Sequence, residues 1–171
     1  KGNGWHKGEQ GFYFGLFWGG MPDLNYNNPA VTEDMLKVTD YWLNEIGVDG
    51  FRVDAVKHLI EEDGKTENTP ATYAWLEGFY EAYKKQNPNA YTIGEVFNAG
   101  SSVVKAYTGD KMDHIFNFEM ASGFVNSANG GANSGVNSAI KFALMDMPDF
   151  NFATFLTNHD QNRAISVYYG N

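Results

Sequence analysis

The sequence predicts an α/β fold in which strands pair in parallel and alternate with helices. Three observations lead there. Short apolar runs alternate with stretches whose apolar residues recur every three or four positions, the pairs Asn28-Pro29 and Thr69-Pro70 open two of those stretches, and acidic residues close three of the runs at Asp54, Glu95 and Asp160. Strands separated by helices pair in parallel through right-handed crossovers. The pattern leaves open whether the sheet is doubly wound or part of a closed barrel. No glycine-rich phosphate fingerprint follows any strand, which removes the main positive sign of a dinucleotide-binding fold.

Residues 1–26 are rich in glycine and aromatics, including Trp5, Phe12, Tyr13, Phe14, Phe17 and Trp18, and have no helical period, so they read as a structured loop or part of a small subdomain. Asn28 and Pro29 supply the cap and first turn of a helix with Val31, Met35, Val38, Trp42 and Ile46 on its apolar face, closed by Gly47. Residues 48–53 form a buried strand ending at Asp54. Thr69 and Pro70 begin a second helix with Tyr73, Leu76, Phe79, Tyr80 and Tyr83 on one face, Lys84 and Lys85 at its negative end, and Asn87-Pro88 as its stop. Residues 90–96 make the second strand, 101–107 a short helix and 114–118 the third strand. The Gly, Ser and Asn content of 122–138 predicts a long loop, leading into a helix that Pro148 ends, and 152–157 form the fourth strand. Lys1 opens within a loop and residues 168–171 read as another helix starting, so the chain is expected to be cut from a longer one.

With 171 residues, 19.1 kDa and 43% apolar content, the chain is long enough to bury a core. Twelve Lys and Arg against 21 Asp and Glu give a net charge of −9, which argues against nucleic acid and anionic membranes as partners. Without cysteine there is neither a disulfide framework nor a thiolate metal site, so any metal is held by oxygen or imidazole. The apolar runs fall far short of the roughly 20 residues needed to cross a bilayer, and the chain is expected to be soluble. Aromatics make up 16% of the residues and suit either a core or the flat apolar face of a sugar.

The chemistry sits where the strands finish. In parallel α/β folds the C-terminal strand ends face the substrate, which would bring carboxylates from three strands together. Arg52 and Asp54 are two apart on a strand and share a face, so the guanidinium can orient the carboxylate as a nucleophile requires. Glu95 stands among Ile93, Val96 and Phe97, an apolar setting that raises a carboxyl pKa and suits a proton donor. One ionised and one protonated carboxyl are what glycoside hydrolysis uses. Asp160, beside His159 and one turn from Arg163, would add a third charge able to stabilise an oxocarbenium-like transition state. A lone acidic residue at a strand end is more often a cap or a solvated charge, and Lys57 and His58 taken alone read as a surface turn. His6 and His114 read as structural or exposed.

The segments Gly50-Phe51-Arg52-Val53-Asp54-Ala55-Val56-Lys57-His58, Gly94-Glu95-Val96 and Phe155-Leu156-Thr157-Asn158-His159-Asp160 resemble three of the four core sequence regions of the α-amylase family, glycoside hydrolase family 13. Met21-Pro22-Asp23-Leu24-Asn25 resembles the additional region near the end of the domain that interrupts the barrel in that family. Its form is similar to an intermediate subfamily between oligo-1,6-glucosidases and neopullulanases. The resemblance implies a partial (β/α)8 TIM barrel, roughly strands four to seven, over residues 27–171, preceded in 1–26 by the end of the inserted domain and a linker. A whole barrel needs about 250 residues, so the resemblance makes this chain an internal fragment, without the family's first core region, first three strands, eighth strand and C-terminal β domain.

Carried onto these positions, the resemblance implies Asp54 as nucleophile, Glu95 as general acid/base and Asp160 as transition-state stabiliser. Arg52 would position the nucleophile, His159 would hydrogen-bond sugar hydroxyls, and Lys57 and His58 would face the leaving-group side. The His58 carbonyl would bind a structural calcium whose other ligands lie outside the fragment. The implied reaction is retaining cleavage of α-1,4-glucosidic bonds in starch, maltodextrin or related α-glucans through a covalent glucosyl-enzyme. α-Glucosidase, oligo-1,6-glucosidase, neopullulanase and transglycosylase specificities are the alternatives within the family, and the resemblance favours an extracellular location. Two further readings compete: a metal-dependent hydrolase built from Asp54, His58, His159 and Asp160, and an inactive carbohydrate-binding partial barrel. Half a barrel exposes raw strand edges, so the isolated fragment is expected to be poorly soluble and weakly active or inactive.

Overall fold

A computed structural model describes residues 4–169. Lys1, Gly170 and Asn171, which the sequence placed in an opening loop and a starting helix, lie outside the described residues. A hairpin of β1 (Trp5–Lys7) and β2 (Phe12–Phe14) is followed by α1 (Pro29–Asp40), which continues as a π-helical turn over Tyr41–Ile46. Then come β3 (Gly50–Val53), α2 (Pro70–Gln86), β4 (Tyr91–Gly94), the short α3 (Ser101–Val104), β5 (His114–Phe116), α4 (Phe118–Gly130), α5 (Ser134–Asp146), β6 (Phe152–Ala153) and α6 (Ala164–Tyr169). β3, β4, β5 and β6 form one sheet in that order, every pair parallel. The expected α/β class is what the chain adopts. Among the described residues no helix is long and apolar enough to cross a membrane.

Local chemistry accounts for the helices. Asn28 Oδ1 accepts the Ala30 N–H and Pro29 occupies the first turn of α1. Thr69 Oγ1 accepts the Thr72 N–H, and Pro70 repeats the device for α2. Leu76, Phe79 and Tyr83 of α2 are buried against the sheet, as their spacing predicts. The predicted face of α1 is corrected: Val38, Trp42 and Ile46 are exposed, while Leu36, Thr39 and Leu43 turn toward the core. Both sets repeat every three or four residues, and packing against α2 and the sheet selects the second.

A second correction concerns 122–138, which is two helices and not a loop. Asn117 Oδ1 caps α4 by accepting the Met120 N–H, and Gly131 ends it in the left-handed region. The small residues that suggested a loop are packing surface: a Cβ on Gly123 would lie 3.2 Å from the Val136 Cα and 3.3 Å from the Ala139 Cβ. Small side chains there let α4 and α5 approach, with Ala139 and Ala143 buried. The opening segment, read only as a structured loop, contains the β1–β2 hairpin. The fourth strand is shorter than expected, ending at Ala153 and leaving residues 154–163 to form the turn that carries Asn158, His159 and Asp160.

Below the strand ends, Asp113 anchors α2 to β4 and β5. Its Oδ2 accepts from Tyr83 Oη at 2.8 Å, the Thr92 N–H at 2.8 Å and Thr92 Oγ1 at 3.2 Å. Its Oδ1 sits 2.7 Å from Lys84 Nζ and accepts from Tyr80 Oη at 3.3 Å. Burial alone would raise the Asp113 pKa, but Lys84, the Thr92 N–H and the Tyr83 hydroxyl outweigh it and hold the carboxyl below the usual aspartate value.

Candidate active site

β3 and β4 are in register from Gly50 opposite Tyr91 to Val53 opposite Gly94, so the next residues along, Asp54 and Glu95, end adjacent strands side by side. Two hydrogen bonds lock their backbones together beyond the strands: the Glu95 N–H donates to the Val53 carbonyl at 3.0 Å and the Val56 N–H to the Glu95 carbonyl at 3.1 Å. Immediately after Asp54 the chain turns sharply through Ala55, a non-glycine residue with φ +46°. That turn directs Val56 into the core and leads into the one-turn helix Val56–His58.

Arg52 lies between the two carboxyls. Its Nη2 is 2.8 Å from Asp54 Oδ1 and 3.1 Å from Glu95 Oε1. The two acids occupy different environments: the Asp54 side chain is 71% exposed and the Glu95 side chain 7%. Burial first, and the neighbouring Asp54 carboxylate second, raise the Glu95 pKa above the usual glutamate value; Arg52 acts in the opposite sense without reversing the shift. Apart from the ion pair with Arg52, Glu95 Oε1 accepts no well-aligned hydrogen bond.

Asp54, Glu95 and Asp160 line one cleft of about 500 Å³, together with Lys57, His58 and His159. Asp160 is placed by a turn in which Asn158 Oδ1 accepts the Asp160 N–H at 3.1 Å. His159 Nε2 lies 3.3 Å from Asp160 Oδ2, and both side chains are exposed at the cleft mouth. Among the described residues no ion pair joins Arg163 to Asp160. Arg52 borders an adjoining hollow shared with Glu95, Phe155 and His159. The six polar residues expected at the cleft are thus brought together, with Arg52 beneath Asp54 and Glu95.

Lys57 and His58 are not a surface turn. Lys57 Nζ pairs with Glu67 Oε2 at 2.7 Å, His58 Nδ1 hydrogen-bonds the Thr66 carbonyl at 2.8 Å, and both side chains are less than one-fifth exposed. The Lys57 hydrogen bond holds the Glu67 carboxyl below the usual range. Sequence reasoning missed Glu67, and nothing distinguishes it from the neighbouring acids Glu61, Glu62 and Asp63 until the loop is folded. Phe17 and Met21 also went unassigned as cleft residues; Phe17 packs edge-on against His58 with ring centroids 5.4 Å apart.

Among the described residues no group of three or more His, Asp or Glu side chains could hold a metal ion. Asp54 is taken by Arg52 and His58 by Thr66, so these two do not combine with His159 and Asp160 as a metal cluster. The His58 carbonyl alone is one donor where calcium takes roughly six to eight oxygens, so the residues present do not compose a calcium site.

A parallel sheet with helical crossovers and a polar cleft at the C-terminal strand ends is shared by (β/α) barrels and open α/β sheets, and the comparisons with known proteins decide for the barrel. All 171 residues match the family model described as "Alpha amylase, catalytic domain", and the chain belongs to that family. It is 36% identical to Alpha-amylase 3 of Dictyoglomus thermophilum over 172 residues, covering 98% of this chain and 33% of that protein. It is 44% identical over 100 residues to a trehalose synthase/amylase of Mycolicibacterium smegmatis, covering 58% of this chain and 16% of the relative. The crystal structure of the α-amylase from H. orenii superposes with a TM-score of 0.85 at 35% identity, over 98% of this chain and 34% of that one. The chain spans about a third or less of the length of these relatives, and its four strands correspond to part of a barrel.

Proposed function

We propose that the protein containing this chain is a retaining glycoside hydrolase that cleaves α-1,4-glucosidic bonds in starch, maltodextrin or related α-glucans. The observation that carries this reading is the Asp54–Arg52–Glu95 arrangement. One oxygen of Asp54 and one of Glu95 lie 2.8 and 3.1 Å from the same guanidinium nitrogen, a close pairing that favours the roughly 5–5.5 Å carboxyl spacing of retaining enzymes over the wider gap that inverting enzymes keep for water.

Asp54, exposed to the cleft and held by Arg52, attacks the anomeric carbon. Glu95, whose raised pKa favours the protonated form, gives its proton to the departing glycosidic oxygen as that bond breaks, leaving glucosyl esterified to Asp54. Glu95, now ionised, then takes a proton from the water that attacks the anomeric carbon, and the bond from that carbon to Asp54 breaks so that Asp54 leaves as carboxylate. Asp160 stabilises the positive charge on the ring in both transition states, and His159 binds sugar hydroxyls beside it. A sugar hydroxyl replacing water in the second step makes the same site a transglycosylase, a reading that the trehalose synthase relative favours. The resemblance favours an extracellular setting for this chemistry.

A 2-fluoro glucosyl fluoride forms a long-lived ester on a retaining nucleophile, so peptide mapping of the intact protein should find the label on Asp54. Starch hydrolysis should fall by at least about 10³-fold in Asp54→Asn, the scale on which removal of a covalent nucleophile is felt. Near-normal hydrolysis by that variant refutes the assignment.

A further inference from the structure

Three consecutive residues, Thr66, Glu67 and Asn68, grip Lys57 and His58 through three kinds of contact. The Thr66 carbonyl accepts from His58 Nδ1 at 2.8 Å, Glu67 Oε2 sits 2.7 Å from Lys57 Nζ, and the Asn68 N–H donates to the Lys57 carbonyl at 2.9 Å. A carbonyl oxygen only accepts, so His58 Nδ1 carries the proton and Nε2 of the neutral ring is a bare acceptor. Lys57 keeps donors beyond the one given to Glu67. Both residues line the cleft, where an ammonium donor beside an imidazole acceptor can recognise hydroxyls of one sugar.

The 66–68 segment is itself held from the next crossover. Tyr107 ends the one-turn helix Lys105–Tyr107 between β4 and β5, is fully buried, and donates its hydroxyl to Asn68 Oδ1 at 2.6 Å. Tyr73 of α2 packs against that ring with centroids 5.0 Å apart, so the hydroxyl is fixed by close packing. Asn68 meets it from the left-handed region, at φ +55°, which asparagine adopts more readily than most residues. The ends of the loop are tied where Thr69 Oγ1 donates to the Ile60 carbonyl at 2.6 Å.

Lys57 and His58 follow β3, at one edge of the four-stranded sheet, and His159 and Asp160 follow β6, at the other. With His159 and Asp160 on the glucosyl unit being transferred, Lys57 and His58 meet the sugar across the cleaved bond. We propose that Tyr107 and Asn68 are positioning residues for this leaving-group side: their hydrogen bond sets the 66–68 segment, and through it the Lys57 ammonium and the His58 ring, for the sugar that departs. The proposal rests on the α-glucan reading of the cleft.

The test compares, in the intact protein, maltoheptaose with a nitrophenyl α-maltotrioside, whose nitrophenol leaving group presents no sugar to Lys57 and His58. Tyr107→Phe removes the hydroxyl alone, and Asn68→Gly removes the acceptor while keeping a residue suited to positive φ. Each should lower the ratio of kcat/KM on maltoheptaose to that on the maltotrioside about 3–10-fold, the span of one hydrogen bond's net worth. Asn68→Asp keeps an accepting oxygen and should restore the ratio; its failure to do so overturns the role of the hydrogen bond. A merely structural role moves both substrates together with the thermal midpoint, so an unchanged ratio in Tyr107→Phe and Asn68→Gly overturns the proposal whatever the midpoint. Hydrolysis surviving in Asp54→Asn undermines the catalytic assignment, whereas its loss there together with an unaltered ratio in Tyr107→Phe undermines the positioning role alone.

Discussion

Replacing Asp113 by alanine should destabilise the fold without touching the cleft. The substitution removes a carboxylate that serves Lys84, Tyr80, Tyr83 and Thr92 together. Tyr83 and Thr92 are fully buried; their hydroxyls still bond each other at 2.8 Å, but the Thr92 N–H is left without its 2.8 Å acceptor. Lys84 keeps the Ala90 carbonyl at 2.6 Å and remains about one-quarter exposed, so its charge can rehydrate. Breaking a buried charge pair costs roughly 3–5 kcal/mol, and this partial solvation sets the expectation near the lower end, about 3 kcal/mol. For a domain of this size that corresponds to a fall in thermal midpoint of roughly 6–12 °C. The pH dependence supplies a second arm. Because the Asp113 pKa is lowered in the folded state, its stabilisation is present above the unfolded aspartate value of about 3.9 and is lost as pH falls through the lower folded value. The difference between wild type and Asp113→Ala, followed by circular dichroism, should be constant from about pH 5 to 8 and shrink below about pH 4. A midpoint change under about 2 °C at neutral pH refutes the view that this carboxylate ties α2 to the sheet.

Glu95→Gln should abolish the alkaline limb of the kcat/KM profile. In wild type that limb reflects loss of the Glu95 proton and, because the pKa is raised, should lie above the usual glutamate range; a limb that persists in the variant assigns the proton to another group. Gly50→Ala places a Cβ 1.8 Å from the Tyr91 carbonyl oxygen and should force β3 from β4, costing at least about 1–3 kcal/mol in urea unfolding and lowering kcat as Asp54 shifts from Glu95. Unchanged stability would mean that the strands yield at that point. Glu67→Gln should change stability by less than about 1 kcal/mol, since the carboxylate is half exposed, yet should raise KM by releasing Lys57. Equal changes in kcat and kcat/KM instead place Lys57 in the transition state.

The strand-end acids were legible because their local cues are short-range: Asp54 and Glu95 each close an apolar run, and parallel pairing alone brings them side by side. Helix starts at Pro29 and Pro70 were legible for the same reason, as cap and first turn sit within three residues. The α4–α5 pair was not. The Gly, Ser and Asn residues of 122–138 look loop-like in sequence and are helical because α4 and α5 meet closely at Gly123 and Ala139, a contact no single window contains. The inward face of α1 depended likewise on packing against α2. Glu67 reaches Lys57 only through the folding of the loop after His58, and the hairpin of β1 and β2 carries no strong turn signal.

The hydrogen bonds linking the Glu95 backbone to Val53 on one side of Asp54 and to Val56 on the other have a consequence for how such a protein can change. The spacing of the two residues is set by main chain, with Arg52 bridging their carboxyls, and main-chain spacing survives most substitutions. Other parts of the cleft wall belong to separate segments, the loop carrying Phe17 and Met21 and the turn carrying Lys57 and His58. On the proposed function, stereochemical outcome and substrate preference are therefore separable, and loop exchange among relatives should alter which glucan is used while leaving the anomeric configuration of the product unchanged.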